Sequence, residues 1–302
     1  MAAGTKMHED EADTDESLVA ALIRAQFPRW ARLPVARVAS AGTDNAMYRL
    51  GDDLVVRLPR IPGAAADVAK EHRWLPPLAP HLPLEVPEPL GRGVAGEGFP
   101  HPWSVYRWLD GENLFDGPVA DLHETAVALG GFVAALRGVD AAGAPVSFRG
   151  GPVATRDESV RAAIRDLGAD GTHDADAATA VWEETLRLPQ WEGAPVWLHG
   201  DLLPGNLLAR RGRLRAVIDF GGVGAGDPAC DTMAAWTLLT PATRAPFREA
   251  SGADDATWAR GRGWALCFGL TAEHYYRRTN PVLAAVAHRA VAEVLADHRG
   301  TG

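Results

Sequence analysis

Short alternating runs of apolar and polar residues crowd the first third of the chain, and helical spacing takes over after about residue 110. Val35 to Ser40, Ala46 to Leu50 and Leu54 to Leu58 read as three short strands, with Gly51-Asp52-Asp53 as the turn between the last two. A helical pattern begins near Ser17, ahead of them. After them, "AAADVAKEHRWL" has the spacing of a single helix, which Pro76-Pro77 should end. A proline-rich stretch at 80–89 leads to two more strands at about 89–94 and 101–107, so the first hundred residues read as a small sheet with one helix.

Beyond "LDGENL", Leu122, Ala126, Leu129, Val133 and Leu136 recur as one face of a buried or half-buried helix should. Further helices are expected at about 156–167, 174–187, 228–239, 255–277 and 281–297. Asp227-Pro228 and Asn280-Pro281 each set a capping residue before a proline suited to the first helical position.

Composition narrows the class. With 302 residues, 47% of them hydrophobic, the chain can bury a large core as one domain or two lobes. Cys230 and Cys267 are too few for a disulfide framework, and no C-x-x-C or mixed Cys/His cluster suggests zinc, which points to a reducing, cytoplasmic setting. No basic segment followed by an apolar stretch opens the sequence, and the longest apolar run, about 126–136, is too short for a bilayer, so no membrane partner is expected. The net charge of −9 is uneven: residues 1–16 hold six acids against Lys6, the pattern of a solvated, disordered acidic tail. The one basic cluster, "RRGRLR" at 210–215, is short and alternates like a hairpin edge, so nucleic acid is not an expected partner. The sequence leaves the oligomeric state open.

Several familiar signatures fail on context. "GRGVAGEG" at 91–98 satisfies G-x-G-x-x-G, but Pro100 and Pro102 follow it where a dinucleotide fold needs a helix, so it reads as a hairpin turn. Lys6 and Lys70 are the only lysines and neither completes a Walker A loop. Neither G-x-S-x-G nor H-E-x-x-H occurs.

One constellation carries chemistry. In "LHGDLLPGNLL" at 198–208, Asp201 and Asn206 have D-x-x-x-x-N spacing, and Asp219 follows thirteen residues later in "VIDFGG". The intervening "LLARRGRLRAVI" reads as a tight hairpin turning at Gly212, which would return Asn206 and Asp219 to the same end of the strand pair. A loop tightened by Pro204-Gly205 would then hold one carboxylate for a substrate hydroxyl while an amide oxygen and a second carboxylate share a magnesium ion. Taken singly, the three are ordinary turn and cap residues; in this order around a hairpin, turn chemistry accounts for them poorly.

"LHGDLLPGN…VIDFGG" resembles the catalytic core of the aminoglycoside phosphotransferase family, antibiotic kinases related to the protein kinases, and the likeness covers most of the chain. The resemblance implies an α+β, two-lobed protein-kinase-like fold: a nucleotide-binding N-lobe over 17–107 with a small antiparallel sheet and one helix, and a larger, mostly helical C-lobe over 108–302 that carries catalysis and the substrate. It implies a phosphotransferase moving the γ-phosphoryl of ATP or GTP, with Mg2+, to a hydroxyl of a small molecule. An aminoglycoside or related antibiotic is the first choice of acceptor; a metabolite such as an amino alcohol, sugar or amino acid is the alternative, and a nucleotide-binding scaffold without turnover a third reading.

By the same resemblance Asp201 is the catalytic base, Asn206 and Asp219 hold magnesium, and His199 braces the loop. "LVVRL" sets Arg57 where such kinases carry a phosphate-gripping lysine, with Glu71 on the next helix as its partner, although a solvated helix face explains Glu71 equally well. Ser40 and Thr43 fall where the family places its phosphate-covering loop. The backbone of Arg107, Trp108 and Leu109 would meet adenine and Tyr106 would line its pocket, while core packing remains open for these aromatics. Asp227 reads as a helix N-cap and Asp231 as a buried support for the catalytic loop. For a cationic acceptor, Asp157, Glu158 and Glu273 are candidate carboxylates, and Tyr275, Tyr276 and Trp264 candidate stacking rings; solvated surface and core packing are the competing accounts.

Overall fold

A computed structural model describes residues 11–38, 44–115 and 119–300. The chain divides into two compact units: Met1–Pro80 with Glu85–Asp110 and Asp219–Gly221, and His81–Leu84 with Gly111–Ile218 and Gly222–Gly302.

The first unit runs α1 (Glu16–Gln26), β1 (Val35–Arg37), β2 (Asn45–Leu50), β3 (Leu54–Pro59), α2 (Pro62–Leu78), β4 (Pro89–Gly93) and β5 (Trp103–Arg107). Its strands form one antiparallel sheet in the order β1-β2-β3-β5-β4. In β2 burial alternates, with Ala46, Tyr48 and Leu50 inward, as a strand with one covered face requires. Val19, Leu22 and Ile23 of α1 join them with Val56, Leu58, Trp103 and Val105 in the core. The G-x-G-x-x-G stretch is the β4–β5 connection, where Gly96 and Phe99 pair across the turn, so the hairpin reading holds.

Two expectations for this unit need correction. The acidic stretch to residue 16 is not a free tail from Glu11 onward. The Ala12 N–H donates to Arg60 O at 3.0 Å, Glu11 pairs with Arg60 at 3.3 Å, and Asp15 caps α1 through the Leu18 N–H at 2.8 Å. Residues 1–10, where the rest of the tail was expected, lie outside the described residues. Likewise α2 does not stop at Pro76-Pro77 but includes both. They stand in its last turn, where they take the helical donors from the carbonyls of His72 and Arg73 while the Ala79 N–H still closes on Leu75 O.

The second unit contains β6 (Glu112–Asn113), α3 (Leu122–Arg137), α4 (Asp157–Ala169), α5 (Ala175–Arg187), β7 (Val196–Leu198), β8 (Leu207–Arg210), β9 (Arg213–Val217), β10 (Gly224–Gly226), α6 (Ala234–Thr237), α7 (Pro241–Ser251), α8 (Asp255–Tyr276) and α9 (Pro281–Gly300). The hairpin expected at 207–218 is present as β8–β9, its turn at Arg211 and Gly212 in the left-handed region. β6 adds to its edge, and β7 pairs separately with β10.

The helix expected at 228–239 is instead a 3-10 turn, Cys230–Met233, running into the four-residue α6. Asp227 does not cap it: the carboxylate accepts from Ala229 N–H at 3.0 Å and pairs with the Arg260 guanidinium at 2.8 Å, both side chains buried. Helix α7, which holds Pro241 and Pro246, was not among the expected helices. Pro241 occupies the first turn, where no donor is needed, and Thr240 with Thr243 closes a capping box around it. Among the described residues no helix is long and apolar enough to cross a membrane.

Candidate active site

In the second unit, β7 delivers His199-Gly200-Asp201 into a loop whose backbone is fully specified. The buried Asp231 carboxylate accepts from the His199 N–H at 2.7 Å and the Gly200 N–H at 2.8 Å, so one side chain satisfies two amides that burial would otherwise leave costly. Burial pushes the Asp231 carboxyl above the ordinary range, against the pull of His199 and the two amides. His199 is fully buried; its Nε2 meets Ile218 O at 3.1 Å and its Nδ1 lies 3.2 Å from the Asp201 N–H. With one ring nitrogen on a carbonyl and the other on a backbone N–H, His199 braces the loop.

Gly200 has φ +81°, and a Cβ there would lie 2.8 Å from Ser147 Oγ and 2.9 Å from Gly222 O. Both conformation and space therefore demand glycine in H-G-D.

The Asp201 carboxylate is held on both oxygens. Arg149 Nη1 donates to Oδ1 at 2.6 Å and also to Gly200 O at 2.7 Å, while Asn206 Nδ2 donates to Oδ2 at 3.0 Å and to the Asp201 carbonyl at 2.8 Å. Because the Asn206 amide nitrogen is committed to Asp201, its oxygen is the atom of that side chain chemically suited to a cation. Asn113 Nδ2 donates to Gly205 O, pinning the Pro204–Asn206 turn from β6. Arg149 is mostly buried; burial alone would lower its pKa, but Asp201 beside it outweighs that and raises it. The residue sits in a segment laid along β10, with Ser147 N–H on Ala225 O and Ser147 Oγ on Gly222 O. Nothing in "VSFRGG" signalled it, since its partners are about fifty residues away.

The β8–β9 hairpin closes on Asn206: the Ile218 N–H donates to Asn206 O at 2.8 Å, and Asp219 is the next residue along the chain. Asp219 has φ +63°, a left-handed conformation that Asp tolerates better than most side chains and that tends to occur at functional positions.

In the first unit Arg57 is the hub. Nη1 donates to Glu71 Oε1 at 2.7 Å and Nη2 to Asp219 Oδ1 at 2.6 Å. With its amide turned oxygen-first, Asn45 of β2 accepts from Arg57 Nη2 and Nε at 2.9 and 3.1 Å. Glu71 is buried rather than on a solvated helix face, and its second oxygen accepts from the Tyr106 hydroxyl. Desolvation pushes the Glu71 carboxyl up, only partly offset by Arg57; it also lowers Arg57, where Glu71 and Asp219 more than compensate and the guanidinium stays charged. Burial, then the Glu71 charge, drive the Tyr106 phenol up as well. Lys70 of α2 pairs with Asp67 at 2.8 Å and donates to Gly221 O.

The expected adenine segment is partly committed. Tyr106 is buried and tied to Glu71, so it supports Arg57 rather than lining a pocket. The Arg107 N–H donates to Glu88 O at 3.0 Å and the Trp108 N–H to Asp53 O at 2.7 Å, because the chain is still making sheet and turn contacts there. Leu109 remains as the backbone donor not so used among the described residues. Ser40 and Thr43 lie outside the described residues.

The substrate candidates are mostly occupied. Asp157 Oδ1 accepts from Trp182 Nε1 at 2.7 Å and Arg161 Nε at 2.8 Å, anchoring the start of α4. Glu273 is buried between two histidines and Trp264 is in the core. Glu158 is exposed on α4, while Tyr275 is exposed and meets Tyr276 edge-on with ring centroids 4.7 Å apart.

This arrangement is that of a phosphotransferase, and the sequence agrees: residues 35–297 match the phosphotransferase enzyme family. The chain belongs to that family and is a small-molecule kinase. Solved structures share its fold, as expected from the H-G-D and D-F-G segments. A GDP complex of an aminoglycoside 2'-phosphotransferase-IIIa variant is 21% identical, with TM-score 0.75 over 95% of this chain and 99% of its own. The GDP and kanamycin complex of APH(2")-IIIa is 20% identical, with TM-score 0.70 over 94% and 99%. The apoenzyme of the macrolide 2'-phosphotransferase MphH from Brachybacterium faecium is 27% identical, with TM-score 0.58 over 92% and 98%. Among curated proteins none matches the sequence.

Proposed function

We propose that this enzyme transfers the γ-phosphoryl group of ATP or GTP to a hydroxyl of an antibiotic-like small molecule, with Asp201 as catalytic base and Asn206 and Asp219 as magnesium ligands. The observation that carries the reading is the fixed Asp201 carboxylate, held by Arg149 on one oxygen and by the Asn206 amide nitrogen on the other. An amide oxygen and a carboxylate are hard donors of the kind magnesium takes, so these residues fit the ion. When bound, magnesium neutralises charge on the phosphates.

The chain's own groups do the rest. Asp201 accepts the proton of the acceptor hydroxyl as its oxygen bonds to the γ-phosphorus and the bond from that phosphorus to the β,γ-bridging oxygen breaks, releasing the nucleoside diphosphate; Arg149 and Asn206 keep the carboxylate in one orientation throughout. Arg57, steered by Glu71, Tyr106 and Asn45, grips the α- and β-phosphates, and Leu109 holds the base. An arginine held on three sides is fitted to its position, which argues against a scaffold that has lost turnover.

The acceptor reading shifts from the aminoglycoside first expected toward a macrolide-like molecule. Two of the three carboxylates meant for a polycation, Asp157 and Glu273, are consumed internally. The residues flanking Arg149 are apolar and exposed instead, Val146 at 81% and Phe148 at 63%. A neutral macrocycle with an apolar face and a sugar hydroxyl suits that surface better than a polyamine does. The test is a mass-spectrometric screen with ATP and GTP against macrolides, aminoglycosides, amino alcohols and sugars. Phosphorylation of a macrolide supports the reading, modification of aminoglycosides alone overturns the acceptor assignment, and transfer to none of the four classes overturns the proposed function.

A further inference from the structure

Away from Asp201, the second unit assembles a donor set that no short motif announces. His173 lies in the α4–α5 connection, Glu273 in the last turn of α8 and His288 on α9. His173 Nε2 is 2.5 Å from Glu273 Oε2, and His288 Nδ1 is 2.9 Å from Glu273 Oε1. The imidazole rings stack at 4.8 Å between centroids, and the three ligand atoms all lie within 4.8 Å of one another. The His173 and Glu273 side chains are only 6% and 8% exposed, whereas His288, at 53%, opens the cluster to solvent. Among the described residues, the ion-pair partners of this buried carboxylate are the two imidazoles; no arginine or lysine shares it.

Burying a carboxylate is costly unless a positive charge sits beside it. A divalent ion does so, and the donor types select which. Two imidazole nitrogens and one carboxylate oxygen suit zinc and its first-row neighbours, not magnesium or calcium, which take oxygen. We propose that His173, Glu273 and His288 bind one zinc-class cation, which clamps the α4–α5 connection onto the α8–α9 pair. Bonds of about 2.0–2.1 Å to a tetrahedral ion set ligand atoms about 3.3 Å apart. The two imidazole nitrogens now meet different oxygens of Glu273, so rotation of the carboxylate and of both rings turns the three groups onto one ion. Three protein ligands leave the fourth position to water on the His288 side.

The experiment uses the full chain after chelator dialysis and needs no phosphoryl transfer, so its outcome is separate from the proposed reaction. Zinc is titrated in a competition assay, cobalt(II) replaces it as an absorbance probe, and the apparent Tm is followed with and without zinc. The expected result is one equivalent bound, a visible cobalt band of low-coordinate type, and a zinc-induced rise in Tm. His288→Ala, a half-exposed substitution that should fold normally, should weaken zinc at least about 100-fold and abolish the Tm rise; His173→Ala should do the same. A wild-type Kd weaker than about 100 μM, or zinc binding unchanged in both variants, would overturn the proposal.

Discussion

Replacing Arg57 with lysine keeps one positive charge and removes the fork, so it isolates what the arginine geometry contributes. Arg57 reaches Glu71, Asp219 and Asn45 through three different nitrogens. A single ammonium can stay with buried Glu71 but cannot span all three. The lost Asp219 contact counts for about 0.5–1 kcal/mol, because that carboxylate is 44% exposed and screened. The lost Asn45 bond adds about 1 kcal/mol. Arg57→Lys should therefore cost about 1.5–2 kcal/mol, read as a fall in apparent Tm of roughly 3–8 °C. Nucleotide affinity, measured calorimetrically with magnesium, should fall about tenfold through loss of the aligned guanidinium. A variant as stable as the wild type that binds nucleotide more tightly would refute the reasoning and mark the arginine as a compromise.

Other changes have distinct signatures. Asp219→Ala should remove the magnesium dependence of nucleotide binding while shifting stability by less than about 1 kcal/mol, since the carboxylate is partly exposed; magnesium-stimulated binding that persists would contradict its role. Asp231→Ala strips the acceptor from two buried amides and should cost about 2–5 kcal/mol, with faster hydrogen exchange at His199 and Gly200; Asp231→Asn, which keeps one acceptor oxygen, should cost less. Asp254 caps α8 through the Thr257 N–H at 2.7 Å, and that bond more than any other contact holds its carboxyl below the ordinary value. A folded-state pKa below the unfolded one gives stability that is present above the ordinary aspartate range and lost as pH falls through it. The stability deficit of Asp254→Ala, about 0.5–2 kcal/mol at neutral pH and read from its lowered Tm, should thus shrink on acidification; a deficit that grows would reverse the assignment.

Local pattern carried most of the fold. The strand alternation, the 3.6-residue periods and the glycine turn at 211–212 are near-neighbour signals, and they reappear as β1–β5, α3 and the β8–β9 hairpin. Errors arose where punctuation was read without position. Pro76-Pro77 was taken as the end of α2, yet the helix runs through both to Leu78. Asp201, Asn206 and Asp219 were legible because they sit within nineteen residues in a recognisable order. Arg149, Asn45 and the His173–Glu273–His288 cluster were not, because each meets its partners across 12 to 115 residues and no short-range rule links them. Asp157 and Glu273 show the converse: composition reveals a carboxylate, but only packing reveals that it is already spent on Trp182, Arg161 or two histidines.

The most direct test of the account is single-turnover phosphoryl transfer by wild type and Asp201→Asn, with magnesium nucleotide and whichever acceptor the screen identifies. The substitution keeps an oxygen for Arg149 and removes the ability to take a proton. Transfer should fall by at least about 100-fold while nucleotide affinity stays within a few-fold; an asparagine enzyme that transfers as fast as the wild type would contradict the role assigned to Asp201.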